Sequence, residues 1–136
     1  SYLPYVVNYG MVLQTLGGDG DPLDVVVLGP AIPRGKIIPI ELVGVLEMMD
    51  NGESDHKIIA VPMGLSRQHF SQAAIVSNGI ADILKTWFLH YKNNQQMTIG
   101  DIGSVKNAQT IIQKAMKNKV RTNEQVESIK SSLIIE

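Results

Sequence analysis

Short apolar runs separated by turn residues dominate the first half of the chain. The runs are rich in β-branched side chains and are bounded by glycine or proline, a pattern that predicts strands rather than helices. We predict strands at residues 25–28, 37–40, 42–48 and 57–61. Residues 1–12 are aromatic and β-branched, like the middle of a sheet protein. The first half is therefore expected to form a sheet.

The spacing of apolar residues changes to a helical period near Asn78. From there they recur every three or four positions, which predicts an amphipathic helix ending near Lys92. Its stripe is Ile80, Ile83, Leu84, Trp87, Phe88 and Tyr91. A second stripe after Asn107 predicts a packing helix with a lysine-rich solvent face. Residues 120–136 are polar until Leu133, which suits a terminus that either docks or frays.

The most distinctive stretch is an acidic turn, residues 19–24, placed directly before a buried run. Asp19 and Asp21 share a face if the segment is extended, and Pro22 favours a turn that can bring Asp24 towards them. Like unit charges about 4 Å apart repel by roughly 4 kcal/mol at an effective dielectric of about 20, so carboxylates that converge here would need a cation, a proton or bulk water. Oxygen ligands select hard cations, Mg²⁺ or Mn²⁺ before zinc. Because the same residues suit a solvated turn, spacing alone leaves a cation site and a plain turn both open.

A second acidic group surrounds the pair Asn51-Gly52. This pair favours the positive φ values of a tight hairpin turn, and Asp50 and Asp55 stand at its two ends. Lys57 shares a face with Asp55 if the next strand has begun by then. A solvated hairpin tip explains the same residues, so this stretch by itself does not decide between a site and a surface turn.

Composition limits the classes of protein. A chain of 136 residues with 44% hydrophobic content predicts one compact domain. A formal charge of −1 gives no basic field for nucleic acid, and the absence of cysteine excludes disulfides and thiolate metal sites. With no apolar run of membrane-span length and no secretory signal, we expect a cytoplasmic protein without a membrane partner.

Three familiar kinds of site are excluded by counting. An EF-hand loop opening at Asp19 requires Gly and Glu where Asp24 and Pro30 stand. In segment 29–37, a phosphate-binding loop would need one residue fewer between Gly29 and Gly35, and Ser or Thr in place of Ile37. His56, His69 and His90 lack metal-ligand spacing, and we interpret them as ordinary residues. Since the chain also lacks a nucleophile motif, covalent catalysis has no evident agent.

Four blocks of the chain together resemble the family I soluble inorganic pyrophosphatases. They are Asn8-Tyr9-Gly10, the DGDPLDV block at 19–25, Gly44-Val45-Leu46 leading to Asp50, Asp55 and Lys57, and His90-Tyr91-Lys92. The DGDPLDV block is that family's signature, and the resemblance runs from about Tyr5 to the second helix. It implies a mostly β fold with flanking helices (α+β), namely a five-stranded OB-like β-barrel with two α-helices, as one domain over residues 1–136.

The resemblance also implies a function. Family members hydrolyse pyrophosphate to two phosphates with Mg²⁺ and metal-activated water, without a phosphoenzyme, as homo-oligomers that are often hexamers in bacteria. Carried across by position, the metal ligands are Asp19, Asp24, Asp50 and Asp55. Asp21 becomes the general base with Tyr9 nearby, and Lys57, Tyr91 and Lys92 become the contacts to phosphoryl oxygens. A site that combines metal ions with lysines suits phosphoryl transfer to water.

The chain also departs from the family. A metal-linked Glu and a phosphate-binding Lys and Arg, which lie earlier in the family domain, have no counterpart here, so we expect an N-terminally truncated member. Val6-Val7 stands where the family has a Pro and a small residue. The first alternative function is a catalytically impaired fragment that binds metal and phosphate. The second is a nucleic-acid-binding OB-type module, which requires a basic groove with stacking aromatics; the 5% aromatic content counts against it.

Overall fold

The structure, a computed structural model, describes residues 6–65, 79–91 and 97–134. The elements in chain order are β1 (Val6–Met11), β2 (Asp24–Gly29), β3 (Ile40–Asp50), β4 (Glu53–Ser54), β5 (Lys57–Pro62), α1 (Ile80–Tyr91), β6 (Met97–Gly103) and α2 (Val105–Ile134). A mostly β fold with two helices, as predicted, is confirmed. No helix within the described ranges is long and apolar enough to cross a membrane.

The strands form one six-stranded sheet in the order β1-β2-β5-β3-β4, and β6 pairs with the other edge of β3. β2 and β5 are parallel, and the remaining neighbours are antiparallel. The long β3 pairs with β5 along its first part and with β6 along its second, with an irregularity in each ladder. Among the described strands the sheet is open, because β1 pairs only with β2, β6 pairs only with β3, and no ladder joins β1 to β6.

Hydrophobic cores lie on both faces of the sheet. Alternate residues of a strand point to opposite faces, so the apolar run of β2 serves both cores. Val26 and Leu28 join the cluster that includes Leu84 and Phe88 of α1. Val25 and Val27 join the cluster that includes Ala108 and Ala115 of α2. The two helices therefore cover opposite faces of the strands that carry the acidic residues.

Several local predictions are confirmed. The strands predicted at 25–28, 42–48 and 57–61 lie within β2, β3 and β5. Asn51 and Gly52 have φ values of 53° and 82° and form the two-residue turn between β3 and β4. The first helix is α1; its expected cap, Asn78, lies outside the described residues.

Other predictions are wrong. The strand predicted at 37–40 is absent except for Ile40, because Pro39 has no N–H to donate and Ile37 is 75% exposed. β6 was not predicted, since Gly100, Asp101 and Gly103 are poor strand formers. The second helix begins at Val105, before Asn107, and continues through the polar segment to Ile134.

Gly44 allows β3 and β6 to approach closely. A Cβ at Gly44 would lie 2.6 Å from the carbonyl oxygen of Gly103, which is backbone and cannot rotate away. We expect Gly44→Ala to lower the free energy of unfolding by about 1–3 kcal/mol, the usual effect of overpacking. Urea denaturation measures this. Gly100→Ala is the matched control on β6, because its nearest neighbour is 3.5 Å away; an equal loss in both variants would contradict the close-contact explanation.

Candidate active site

The parallel pairing of β2 and β5 brings the central charged residues together. Asp24 begins β2, Lys57 begins β5, and the two are register partners. The Lys57 ammonium donates hydrogen bonds to Asp24 Oδ2 at 2.5 Å and to Asp55 Oδ1 at 2.8 Å. Asp55 stands two residues before Lys57 and lies just outside β5. The shared strand face was expected only if the strand had begun by Asp55; the strand begins at Lys57, and the two side chains meet through their ion pair instead.

This charged group is largely enclosed. The side chains of Lys57 and Asp55 are 3% and 8% exposed, whereas that of Asp24 is 31% exposed. Burial alone would lower the pKa of Lys57, but the hydrogen bonds to Asp24 and Asp55 raise it above its usual value. The ammonium therefore stays charged through the neutral range. Two carboxylates share one ammonium, so the group retains negative charge that favours a further cation.

Aromatic rings form one side of the site. The Lys57 Nζ lies 5.4 Å from the ring centroid of Phe88 on α1 and 5.9 Å from that of Tyr9 on β1. Trp87 packs edge-on against Phe88 with ring centroids 4.8 Å apart. Burial raises the pKa of Tyr9 to about 12; Asp24 also raises it and Lys57 opposes the rise. The Tyr9 hydroxyl thus keeps its proton and remains a hydrogen-bond donor at neutral pH.

The acidic turn is held by one buried hydroxyl and by its own backbone. Thr15 Oγ1 donates to the Val12 carbonyl at 2.6 Å and accepts from the Leu23 amide at 3.0 Å. Within the turn, the Asp21 amide donates to Asp19 Oδ1 at 3.0 Å. Asp19 is partly buried and Asp21 is exposed. The turn therefore presents Asp21 to solvent at the start of the strand that carries Asp24.

The β3–β4 hairpin carries the second acidic group, Asp50 and Asp55. Asp50 ends β3 and is partly buried, and the Asp55 amide donates to the Met48 carbonyl at 2.9 Å. His56 Nδ1 accepts a hydrogen bond from the Met48 amide at 3.0 Å. His56 therefore has a defined structural partner immediately beside Asp55 and Lys57.

The structure brings some of the predicted site residues into contact and leaves others separate. Tyr9, Asp24, Asp55 and Lys57 form one group. Asp19 and Asp21 lie in the adjoining turn, and Asp50 lies at the end of β3. Tyr91 is the last residue of α1, whereas Lys92 and His69 lie outside the described residues.

Three residues beside the group were not predicted as part of a site. Trp87 and Phe88 were assigned to the apolar stripe of a helix, and His56 was interpreted as ordinary. The signal that could have placed them is proximity in sequence to Tyr91 and to Asp55. Thr15 gave no signal, because its role depends on backbone groups that lie three and eight residues away.

The donor set fits a hard divalent cation. The carboxylates supply only oxygen ligands, and Asp24 and Asp55 already converge on a positive group. Within the described residues, however, no three His, Cys, Asp or Glu side chains are grouped closely enough to form a metal centre. The structure therefore supports Asp24 and Asp55 as a pair of potential ligands, and it leaves Asp19 and Asp50 as a prediction.

Removing the ammonium tests the electrostatics of the group. Lys57→Met leaves Asp24 and Asp55 partly enclosed without their shared cation, so we expect the free energy of unfolding to fall by about 3–5 kcal/mol in metal-free buffer. Adding Asp24→Asn to that variant should recover part of the loss, because one uncompensated charge is removed. Chemical denaturation of both variants measures the difference.

Lys85 on α1 provides the matched control. It forms an ion pair of 3.7 Å with the fully exposed Asp101, and exposed pairs contribute little. Lys85→Met should therefore leave stability nearly unchanged. If Lys57→Met were as mild as Lys85→Met, the ammonium would not be holding the two carboxylates together.

Comparison with known proteins gives the family. A family model described as "Inorganic pyrophosphatase" matches residues 1–119. The inorganic pyrophosphatase of Saccharolobus solfataricus is 37% identical over 122 residues, covering 85% of this chain and 71% of that protein. That of Campylobacter jejuni is 34% identical over 121 residues, covering 84% and 70%. That of Ralstonia nicotianae matches over 92 residues, or 53% of its length.

Solved structures agree with the sequence relatives. The inorganic pyrophosphatase of Helicobacter pylori superimposes with a TM-score of 0.72 at 32% identity, covering 83% of this chain and 71% of that one. The type I inorganic pyrophosphatase of Toxoplasma gondii gives a TM-score of 0.77 at 28% identity, covering 85% and 61%. The acidic turn, the Asp24–Lys57–Asp55 group and these matches lead to one conclusion: this chain belongs to the inorganic pyrophosphatase family.

Proposed function

We propose that this chain hydrolyses inorganic pyrophosphate to two phosphates in a reaction that depends on Mg²⁺. The observation that carries the proposal is the enclosed Lys57 ammonium between Asp24 and Asp55, directly beside the acidic turn. Membership of the inorganic pyrophosphatase family supports the choice of substrate. Mn²⁺ fits the same oxygen ligands, and the preference for Mg²⁺ is part of the proposal.

Charge explains why a divalent cation is needed. Pyrophosphate is a polyanion, and the group that receives it holds more carboxylates than ammonium groups. We assign Asp19, Asp24, Asp50 and Asp55 as the residues that would hold Mg²⁺. When bound, such an ion neutralises phosphate charge and lowers the pKa of water. The carboxylates alone would repel the substrate, so binding of pyrophosphate should require the cation.

The remaining site residues are assigned to proton transfer and substrate contact. Asp21, exposed on its turn, would accept the proton of the attacking water. The water oxygen then forms a bond to one phosphorus while the bridging P–O bond breaks, so no phosphoenzyme is formed. The protonated Tyr9 hydroxyl would donate a hydrogen bond beside the reacting groups. Lys57, Tyr91 and Lys92 would contact phosphoryl oxygens and stabilise their charge.

The proposal also covers the domain organisation, the oligomeric state and the cellular location of the protein. Residues 1–136 would form a single domain, which is supported by the family match over 1–119 and by α2, which packs on the same sheet. We also propose a cytoplasmic homo-oligomer, hexameric if the chain is of the bacterial type, that binds neither nucleic acid nor membranes. This part rests on the family resemblance and on the formal charge of −1.

Phosphate release by the purified 136-residue chain tests the proposal directly. We expect turnover of pyrophosphate with Mg²⁺ and its loss on addition of EDTA, because the carboxylates cannot bind the substrate without a cation. Such turnover would mean that the residues present here are sufficient. A folded chain that binds Mg²⁺ but releases no phosphate would instead support the alternative, a metal- and phosphate-binding fragment.

Asp21→Asn tests the general base. Asparagine keeps the size of the side chain but cannot accept the proton, so we expect an unchanged fold and at least about a 10²-fold slower turnover. Circular dichroism and phosphate release measure the two. Asp101→Asn is the matched control, since that carboxylate is fully exposed and pairs with Lys85 on α1. Wild-type turnover in Asp21→Asn would remove Asp21 from this role.

A further inference from the structure

His56 occupies a break in the hydrogen-bond ladder between β3 and its β4–β5 partner. Leu46 pairs with Lys57 and Met49 pairs with Ser54, so the register across the break is continuous and places Met48 opposite Asp55. The Asp55 amide donates to the Met48 carbonyl at 2.9 Å, as in a regular antiparallel pair. The return bond differs, because the Met48 amide donates to the His56 ring at 3.0 Å.

A regular antiparallel pair would return that bond to the carbonyl of Asp55. Here the imidazole Nδ1 takes the position of a backbone acceptor. Residues 55 and 56 accordingly fall outside strand geometry, between Ser54 at the end of β4 and Lys57 at the start of β5. The imidazole therefore satisfies a backbone donor of β3 while the chain leaves the ladder and re-enters it at Lys57.

The residues on either side of His56 are both essential to the charged group. Asp55 and Lys57 are joined to each other at 2.8 Å, and Lys57 extends the contact to Asp24. Because two peptide bonds connect Asp55 to Lys57 through His56, the orientation of that backbone decides where the Asp55 carboxylate points. A side-chain hydrogen bond that fixes residue 56 thus fixes the relation between these two charges.

We propose that His56 is a positioning residue, whose ring nitrogen acts as a substitute ladder acceptor and holds the Asp55 carboxylate in place for cation binding. The cation-binding part of this role rests on the proposed function. The ring acts through Asp55 and Lys57 and does not itself touch the substrate. Outer partners of metal ligands typically alter metal affinity by about 10- to 100-fold when removed.

The position of the acceptor atom in the Met48–His56 hydrogen bond determines which substitutions test the proposal. Asn places its Oδ1 acceptor at the branch position that Nδ1 occupies in His, so His56→Asn keeps the hydrogen bond. His56→Leu has nearly the shape of Asn but no acceptor. His56→Gln carries an acceptor one bond farther from the backbone and should therefore behave like Leu. Val43→Ala, in the core of β3, controls for a general loss of stability.

Three measurements separate a positioning role from a structural one. Hydrogen exchange of the Met48 amide should be fast in His56→Leu and slow in His56→Asn. Calorimetry without substrate should give Mg²⁺ binding about 10-fold or more weaker in His56→Leu and His56→Gln, and unchanged within about 2-fold in His56→Asn. Val43→Ala should unfold more easily but bind Mg²⁺ normally. The Mg²⁺ concentration for half-maximal turnover should follow the binding constants.

The outcomes distinguish this proposal from the proposed function. Wild-type Mg²⁺ affinity in His56→Leu, with the Met48 amide exposed, would overturn the positioning role. So would a failure of His56→Asn to restore affinity. If the wild-type chain neither binds Mg²⁺ nor hydrolyses pyrophosphate, the proposed function fails. The NMR resonance of the Lys57 ammonium, measured without metal, then decides the positioning role. This resonance should shift in His56→Leu and stay unchanged in His56→Asn. The same resonance in the wild type and both variants would overturn the positioning role.

Discussion

The enclosed ion pair of Lys57 with Asp24 and Asp55 is the constraint on which the rest of the site depends. Enclosing charged groups is costly unless each finds partners of good geometry. The parallel register of β2 and β5 meets this requirement, because it places Asp24 directly opposite Lys57. The Phe88 and Tyr9 rings limit solvent on one side. Such a group adds little net stability, but it holds its three charges in fixed positions. A site for an anionic substrate requires charges that are fixed in this way.

The same group relates the fold to the proposed chemistry. A pair of carboxylates that shares one ammonium is partly neutralised, and its remaining negative charge is what the proposed Mg²⁺ would neutralise. The two helices contribute unequally: α1 supplies Phe88 to the site, whereas α2 packs its alanines on the opposite face of the sheet. The candidate site thus lies on the side of the sheet that carries α1, and α2 packs against the opposite side.

Local features of the fold were predictable where the sequence carries a local signal. The β-branched run after Asp24 and the Asn51-Gly52 turn were predicted because propensity and turn chemistry act over a few residues. The contact between Asp24 and Lys57 was not, since the two are 33 residues apart and meet only through the sheet order. β6 escaped prediction because its glycines lower strand propensity, although one of them has a packing role: a Cβ on Gly103 would lie 2.9 Å from the Val45 side chain. The hydrogen bond from the Met48 amide to His56 could not be predicted, because a side-chain acceptor for a strand amide leaves no pattern in the sequence.

The parallel pairing of β2 with β5 also has a consequence for the order of folding. β3, β4 and β5 follow one another along the chain and can pair through short connections, whereas β2 must close a loop of more than thirty residues to reach β5. Loop closure of this kind delays non-local contacts. We therefore expect the β3–β5 unit to form first and the charged group to assemble in the last steps. Interactions that form after the transition state mainly slow unfolding. The charged group should therefore lower the unfolding rate of the sheet and leave its folding rate nearly unchanged.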